Sequence, residues 1–131
     1  MSIDDLYDLA DRQGHEIIYT SLPQTKSVAI YDRERCTIGM DTGLHGHEET
    51  ERLAHELGHC ETGTFYGSES DPTTRARCEY KANRWAYGHL VPFDDLIEAM
   101  RSGCRNVWDL AEHFDLSQET MQKILSSYFG E

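Results

Sequence analysis

Three observations predict an α+β fold for this 131-residue chain. Short β-rich runs are confined to residues 16–40, helical periodicity governs what precedes and follows them, and one helical stretch carries the run His55-Glu56-Leu57-Gly58-His59. The expected architecture is a small three-stranded, mainly antiparallel sheet packed on that helix, followed by a helical C-terminal part. A composition of 38% hydrophobic and 27% charged residues suits one domain over 1–131, with residues 1–92 as its core and 93–131 as a helical extension of helix-turn-helix outline.

In chain order, Ser2 to Gly14 opens with a cap residue, spaces Ile3, Leu6, Leu9 and Ala10 helically and ends in glycine, so a short amphipathic helix is expected. Glu16-Ile17-Ile18-Tyr19-Thr20 reads as a strand closed by Pro23. Ser27–Tyr31 and Cys36–Met40 read as two more, joined by a hairpin turn at Asp32-Arg33-Glu34-Arg35. Asp41 to Glu48 is a connection containing His45 and His47, both expected to stay in an exposed loop. Asp71-Pro72 supplies an N-cap and a first-turn proline for a helix that Pro92 stops. Three helical segments follow: Phe93–Ser102 closed by Gly103, Val107–Phe114, and Ser117–Phe129.

The His55–His59 stretch carries the chemistry. Leu53, Leu57 and Cys60 form an apolar stripe, and Glu49, Arg52, Glu56 and His59 lie on the polar flank. Histidines at i and i+4 share a helix face and can meet one Zn²⁺, with Glu56 beside them to take a proton from a water. Gly58 costs about 1 kcal/mol in a helix interior, so a close backbone approach is expected there. The helix starting at Asp71 places Ala76, Glu79, Tyr80, Asn83 and Tyr87 on one face, where Glu79 is the only carboxylate. A bare charge there is costly unless it is paired or bound to a metal, which makes Glu79 the third candidate ligand and leaves the fourth position open. The loop Glu61–Ser70 is expected to wall the cleft. Within it, Tyr66 is the candidate donor to an oxyanion, with simple packing as its alternative role.

Asp and Glu number 24 against 12 Lys and Arg, a formal charge of −12, which disfavours a phosphate-binding surface and leaves a basic or neutral protein partner open. The last helix offers Gln118, Gln122 and Lys123 but no arginine, so the terminal helix pair is expected to pack on the core or dock a protein, and no nucleic-acid partner is expected. No apolar run is long enough to span a bilayer. Cys36, Cys60, Cys78 and Cys104 show no C-x-x-C pair, and the N-terminal residues carry no signal pattern. Reduced thiols and a cytoplasmic location are therefore expected, with Cys60 and Cys78 as small buried residues. The strand Cys36–Met40 is expected to offer an open edge to an extended substrate.

Leu53-Ala54-His55-Glu56-Leu57-Gly58-His59-Cys60-Glu61-Thr62-Gly63-Thr64-Phe65-Tyr66, then Glu79-Tyr80-Lys81-Ala82-Asn83-Arg84-Trp85-Ala86, then Leu90-Val91-Pro92, resembles the ImmA/IrrE family of metallo-endopeptidases, particularly members carried by phages and mobile elements. The resemblance runs over nearly the whole chain. It implies a zincin-like fold, zinc as cofactor, His55, His59 and Glu79 as its ligands and Glu56 as catalytic base. It also implies a protein substrate, a repressor encoded nearby. Other members have a regulatory domain after the peptidase part, for which this chain is too short, so any sensing is expected to come from another protein.

Two rival classes stand beside this reading. One is a zinc-containing module that binds a repressor without cutting it, distinguished by indifference to chelation and to Glu56→Gln. The other is a DNA-binding regulator using the terminal helix pair, which requires salt-dependent, sequence-specific binding.

Overall fold

The computed structural model describes residues 1–130. These form α1 (Ile3–Gln13), β1 (Glu16–Thr20), β2 (Ser27–Asp32), β3 (Arg35–Asp41), α2 (Gly46–Thr62), α3 (Pro72–Leu90), α4 (Phe93–Arg101), α5 (Val107–Phe114) and α6 (Gln118–Phe129). The helix ends use the residues the sequence suggests. Ser2 and Asp5 close a capping box on α1, Asp71 accepts from the Thr74 N–H ahead of Pro72, and Ser117 accepts from the Thr120 N–H.

The three strands form an α+β arrangement with the helices, in the order β1-β3-β2. The β2–β3 hairpin is antiparallel, turning through Arg33 and Glu34 at positive φ, and β1 lies parallel to β3 on its other side, so the sheet is mixed. Antiparallel hairpins close locally, whereas β1 reaches β3 only because residues 21–26 cross the end of that strand. Asp41 holds this crossing: its carboxylate accepts from the Leu22 N–H at 2.7 Å and the Gly43 N–H at 3.0 Å. The order also corrects the expectation for Cys36–Met40. That strand is central, both its edges are paired, and the open edge beside the helical layer belongs to β2.

One buried cluster runs from Leu6 and Ala10 through Ile38, Met40, Leu53 and Leu57 to Leu110, Met121 and Ile124. The terminal helices therefore pack on the same core as the sheet. Glu51 of α2 reinforces this by accepting from the Ser117 N–H and hydroxyl at the start of α6, and the Tyr128 hydroxyl donates to the Val91 carbonyl at 2.6 Å.

Reduced cysteines were expected throughout, and the structure differs. Cys36 of β3 and Cys60 of α2 form a disulfide with Cα atoms 5.8 Å apart, while Cys78 and Cys104 are free and Cys78 is buried. The paired residues are 24 positions apart on a strand and a helix, so their meeting follows from tertiary packing and leaves no local spacing to read. Among the described residues, no helix is long and apolar enough to cross a membrane.

Candidate metal centre and cleft

The site is built where α2 and α3 approach most closely. A Cβ on Gly58 would collide with the carbonyl oxygen of Ala82 and sit 3.0 Å from its carbonyl carbon, so only glycine lets the two backbones come this near. The approach carries Glu79, one turn before Asn83 on α3, to the histidine face of α2. Glu79 Oε2 lies 3.1 Å from His55 Nε2 and 2.8 Å from His59 Nε2, and the two Nε2 atoms are 3.2 Å apart.

The other ring nitrogens decide what these three atoms can be. His59 Nδ1 faces the Thr64 carbonyl at 2.6 Å and must donate to it, because a carbonyl oxygen only accepts. Gly63, left-handed at φ 66°, turns the chain at the end of α2 and so delivers that carbonyl. His55 Nδ1 donates to Asn83 Oδ1 at 2.8 Å. In neutral rings both Nε2 atoms then present lone pairs toward the Glu79 carboxylate, whose Oε2 is buried with no hydrogen-bond donor. Three converging acceptors repel one another unless a cation lies among them. Their spacing approaches the edge of ~3.3 Å expected between ligands in a tetrahedron with zinc bonds of ~2.0–2.1 Å. His55, His59 and Glu79 thus fit a divalent metal, and each histidine has a partner that orients it.

Glu56 is buried on the same helix, and its Oε2 accepts from the Ser27 hydroxyl at 2.7 Å. Arg52 Nη1 approaches the same hydroxyl oxygen at 3.4 Å and the Thr25 carbonyl at 3.3 Å, linking the start of β2 to α2. A cleft of about 300 Å³ opens over these groups. Ser27, Val28 and Ala29 of β2 wall one side, and Thr64, Phe65 and Tyr66 wall the other. Tyr31 at the end of β2 packs against Phe65, with ring centroids 5.7 Å apart.

The Tyr66 ring lies 6.2 Å from that of His59, edge toward face, with Arg75 beside it. Burial, and secondarily the negative charge of Glu79, pushes its phenol pKa upward, so the hydroxyl remains a hydrogen-bond donor. A second cleft of about 460 Å³ continues past His55 and Asn83 between α2, α3 and α6, lined also by Glu51, Ser117 and Lys123.

The structure therefore gathers His55, Glu56, His59 and Glu79, with Tyr66 at the rim. His45 and His47 stay outside the site: His45 stands at the N-cap position of α2 with its ring against the Gly43 carbonyl, and His47, expected in a loop, is exposed in the first turn of α2, where it bonds Asp115. Sequence reasoning did not single out Ser27 or Thr64. Asn83 had a signal, since it shares a helix face with Glu79.

No curated protein matches the chain in sequence. Among solved structures, it is similar to a Mycobacterium tuberculosis transcriptional regulator, with a TM-score of 0.70 and 19% identity over 95% of this chain. The chain spans 40% of that protein's length, and the likeness is one of fold. Residues 10–126 match the family model of the IrrE N-terminal-like domain, Peptidase_M78, and with that match over most of its length the chain belongs to this family.

Proposed function

We propose that the protein is a zinc-dependent endopeptidase that hydrolyses one peptide bond in a protein substrate, a repressor encoded beside its own gene. The observation that carries the reading is the convergence of His55 Nε2, His59 Nε2 and the donorless Glu79 Oε2 beside buried Glu56 at the floor of an open cleft. His55, His59 and Glu79 would hold the ion. When bound, zinc supplies polarisation of the scissile carbonyl and acidification of water.

The chain's own groups do the rest. Glu56 accepts the proton of the attacking water and passes it to the leaving amide nitrogen. Ser27 occupies Oε2 of that carboxylate and so fixes the rotamer, leaving the other oxygen for proton transfer. Tyr66, kept protonated, donates to the oxygen that gains negative charge. The substrate lies extended along the open edge of β2, which lines the cleft, and pairs with its backbone.

The repressor assignment is supported by the family resemblance and by charge. A chain of formal charge −12 suits a partner whose DNA-binding face is basic. The test is to incubate the metal-loaded protein with the neighbouring repressor, with and without chelator, and follow intact mass. Chelator-sensitive fragments that are absent with Glu56→Gln are expected. Binding of the repressor without fragments, unchanged by chelation, would replace the peptidase by a non-catalytic binding module.

A further inference from the structure

A second group of metal-binding donors lies outside the cleft, none of its members lining it. A ring nitrogen of His15 and the sulfurs of Cys36 and Cys60 all fall within 4.8 Å of one another. His59 and Cys60 are neighbours on one helix and point about 100° apart, so the two groups of donors are separate. We propose that His15, Cys36 and Cys60 form a second cation site for a soft divalent ion such as Zn²⁺, closed by the Cys36–Cys60 disulfide and opened by its reduction.

The donors are held by element ends that have little freedom to move. His15 follows the left-handed Gly14 that terminates α1, Cys36 sits in central strand β3, and Cys60 lies in the last turn of α2. Cys36 is 3% exposed, and the His15 and Glu61 side chains are 12% and 18% exposed, so the site is shielded from solvent. His15 Nε2 lies 2.8 Å from Glu61 Oε2, and Gln13 Nε2 donates to Glu61 Oε1 at 3.0 Å. A carboxylate fixed against an imidazole in this way is the arrangement that orients metal-binding histidines. Two thiolates and an imidazole select zinc over magnesium or calcium. The same two sulfurs cannot serve both states, because the sulfurs of a disulfide are neutral and weak donors, whereas reduction frees two thiolates, the form that ligates zinc. Reduction by a phosphine balances simply: phosphorus takes the oxygen of one water, the S–S bond breaks, and the two sulfurs take the two protons.

The experiment is to strip the protein of metal, prepare it with the disulfide intact or reduced by a phosphine under anaerobic conditions, and titrate it with Zn²⁺ and with Co²⁺. The expected result is one equivalent with the disulfide and two when reduced. The second equivalent of Co²⁺ should bring the near-ultraviolet charge-transfer band of thiolate ligation. Glu79→Ala should keep that band and lose the other equivalent, which separates this site from the cleft. Cys36→Ser combined with Cys60→Ser should lack the band and retain one equivalent. His15→Ala leaves both thiols in place and should weaken the second equivalent tenfold or more, so the comparison holds even if the double variant folds poorly. One equivalent in the reduced wild type without the band would overturn the proposal, as would a band that survives when Cys36→Ser and Cys60→Ser are combined.

Discussion

The backbone of Ala82 fills the space that a Cβ on Gly58 would need: the added atom would lie 3.0 Å from the Ala82 carbonyl carbon and 3.1 Å from its Cα. This contact sets the distance between α2 and α3, and so the reach of Glu79 to the two histidines. Gly58→Ala gains about 1 kcal/mol of helix propensity but inserts a carbon against backbone, which has no flexible end to yield, at a cost of about 1–3 kcal/mol or more. The expected outcome is a net loss of stability in denaturant unfolding and at least tenfold weaker metal binding in chelator competition. A Gly58→Ala protein that is more stable than wild type and binds metal normally would show that helix spacing does not govern the site.

Ser27 and Glu56 predict a division of effects. Glu56→Gln keeps the metal ligands and removes the base, so metal content should be unchanged while kcat falls by about 10²–10⁴. Ser27→Ala leaves the base but frees its rotamer. A smaller drop in kcat, about tenfold, is expected with KM and metal content unchanged. Rescue by Ser27→Thr, which restores a hydroxyl donor, should separate orientation of Glu56 from a loss of packing.

Asn83 donates nothing to the metal face itself, yet it fixes His55 by accepting from Nδ1 at 2.8 Å. Asn83→Ala should weaken metal affinity by about 10–100-fold, the usual consequence of losing a group that orients a ligand. Asn83→Asp preserves the acceptor and should retain most of the affinity. Equal affinity in Asn83→Ala and wild type, by competition with a chromophoric chelator, would mean that His55 is held in place by packing alone.

What was legible in the sequence was what repeats locally. The i, i+4 histidines, the leucines that bury α2 and the cap at Asp71 are statements about neighbours along one helix that the structure bears out, and the close backbone approach expected at Gly58 is found against Ala82. The α+β class followed in the same way, from runs of one period or the other. Ser27 was not legible, because its partner Glu56 is 29 residues away and a serine at the start of a strand carries no local mark. The Cys36–Cys60 pair was not legible for the same reason, since it joins a strand to a helix 24 residues on, and the central place of β3 depends on how residues 21–26 carry the chain across the sheet. That crossing is set by Asp41, whose role appears only once Leu22 and Gly43 are in place around it.

Tyr66 stands at the rim of the cleft, over half a dozen ångström from the His59 ring by centroids, and ligates nothing. If its hydroxyl stabilises charge that develops only during reaction, Tyr66→Phe should lower kcat by about 10²–10³, the effect of removing one oxyanion donor, and leave KM and metal content alone. A rise in KM at constant kcat would assign it to substrate packing instead.

The acid limit of the fold should be governed in part by Asp41. Its carboxylate is held below the usual carboxylate range chiefly by the Leu22 N–H, with the Gly43 N–H and the Lys26 ammonium adding to the effect against the opposing influence of burial. Asp5 and Asp71 are lowered in the same direction by their capping bonds to Ser2 and Thr74. A group whose pKa is depressed on folding contributes stability that is fully present above its unfolded value, about 4, and is lost as pH falls through the folded value. Stability should therefore be flat with respect to these groups at neutral pH and decline below about pH 4. Asp41→Asn retains one acceptor for the two N–H groups and cannot ionise. It should be less stable than wild type at pH 7, and its decline in acid should be shallower, so that the two curves converge as pH falls. Chemical denaturation across this range distinguishes the cases: curves that stay parallel would mean that Asp41 contributes its shape and not its charge, and that the crossing loop is held by packing of Leu22.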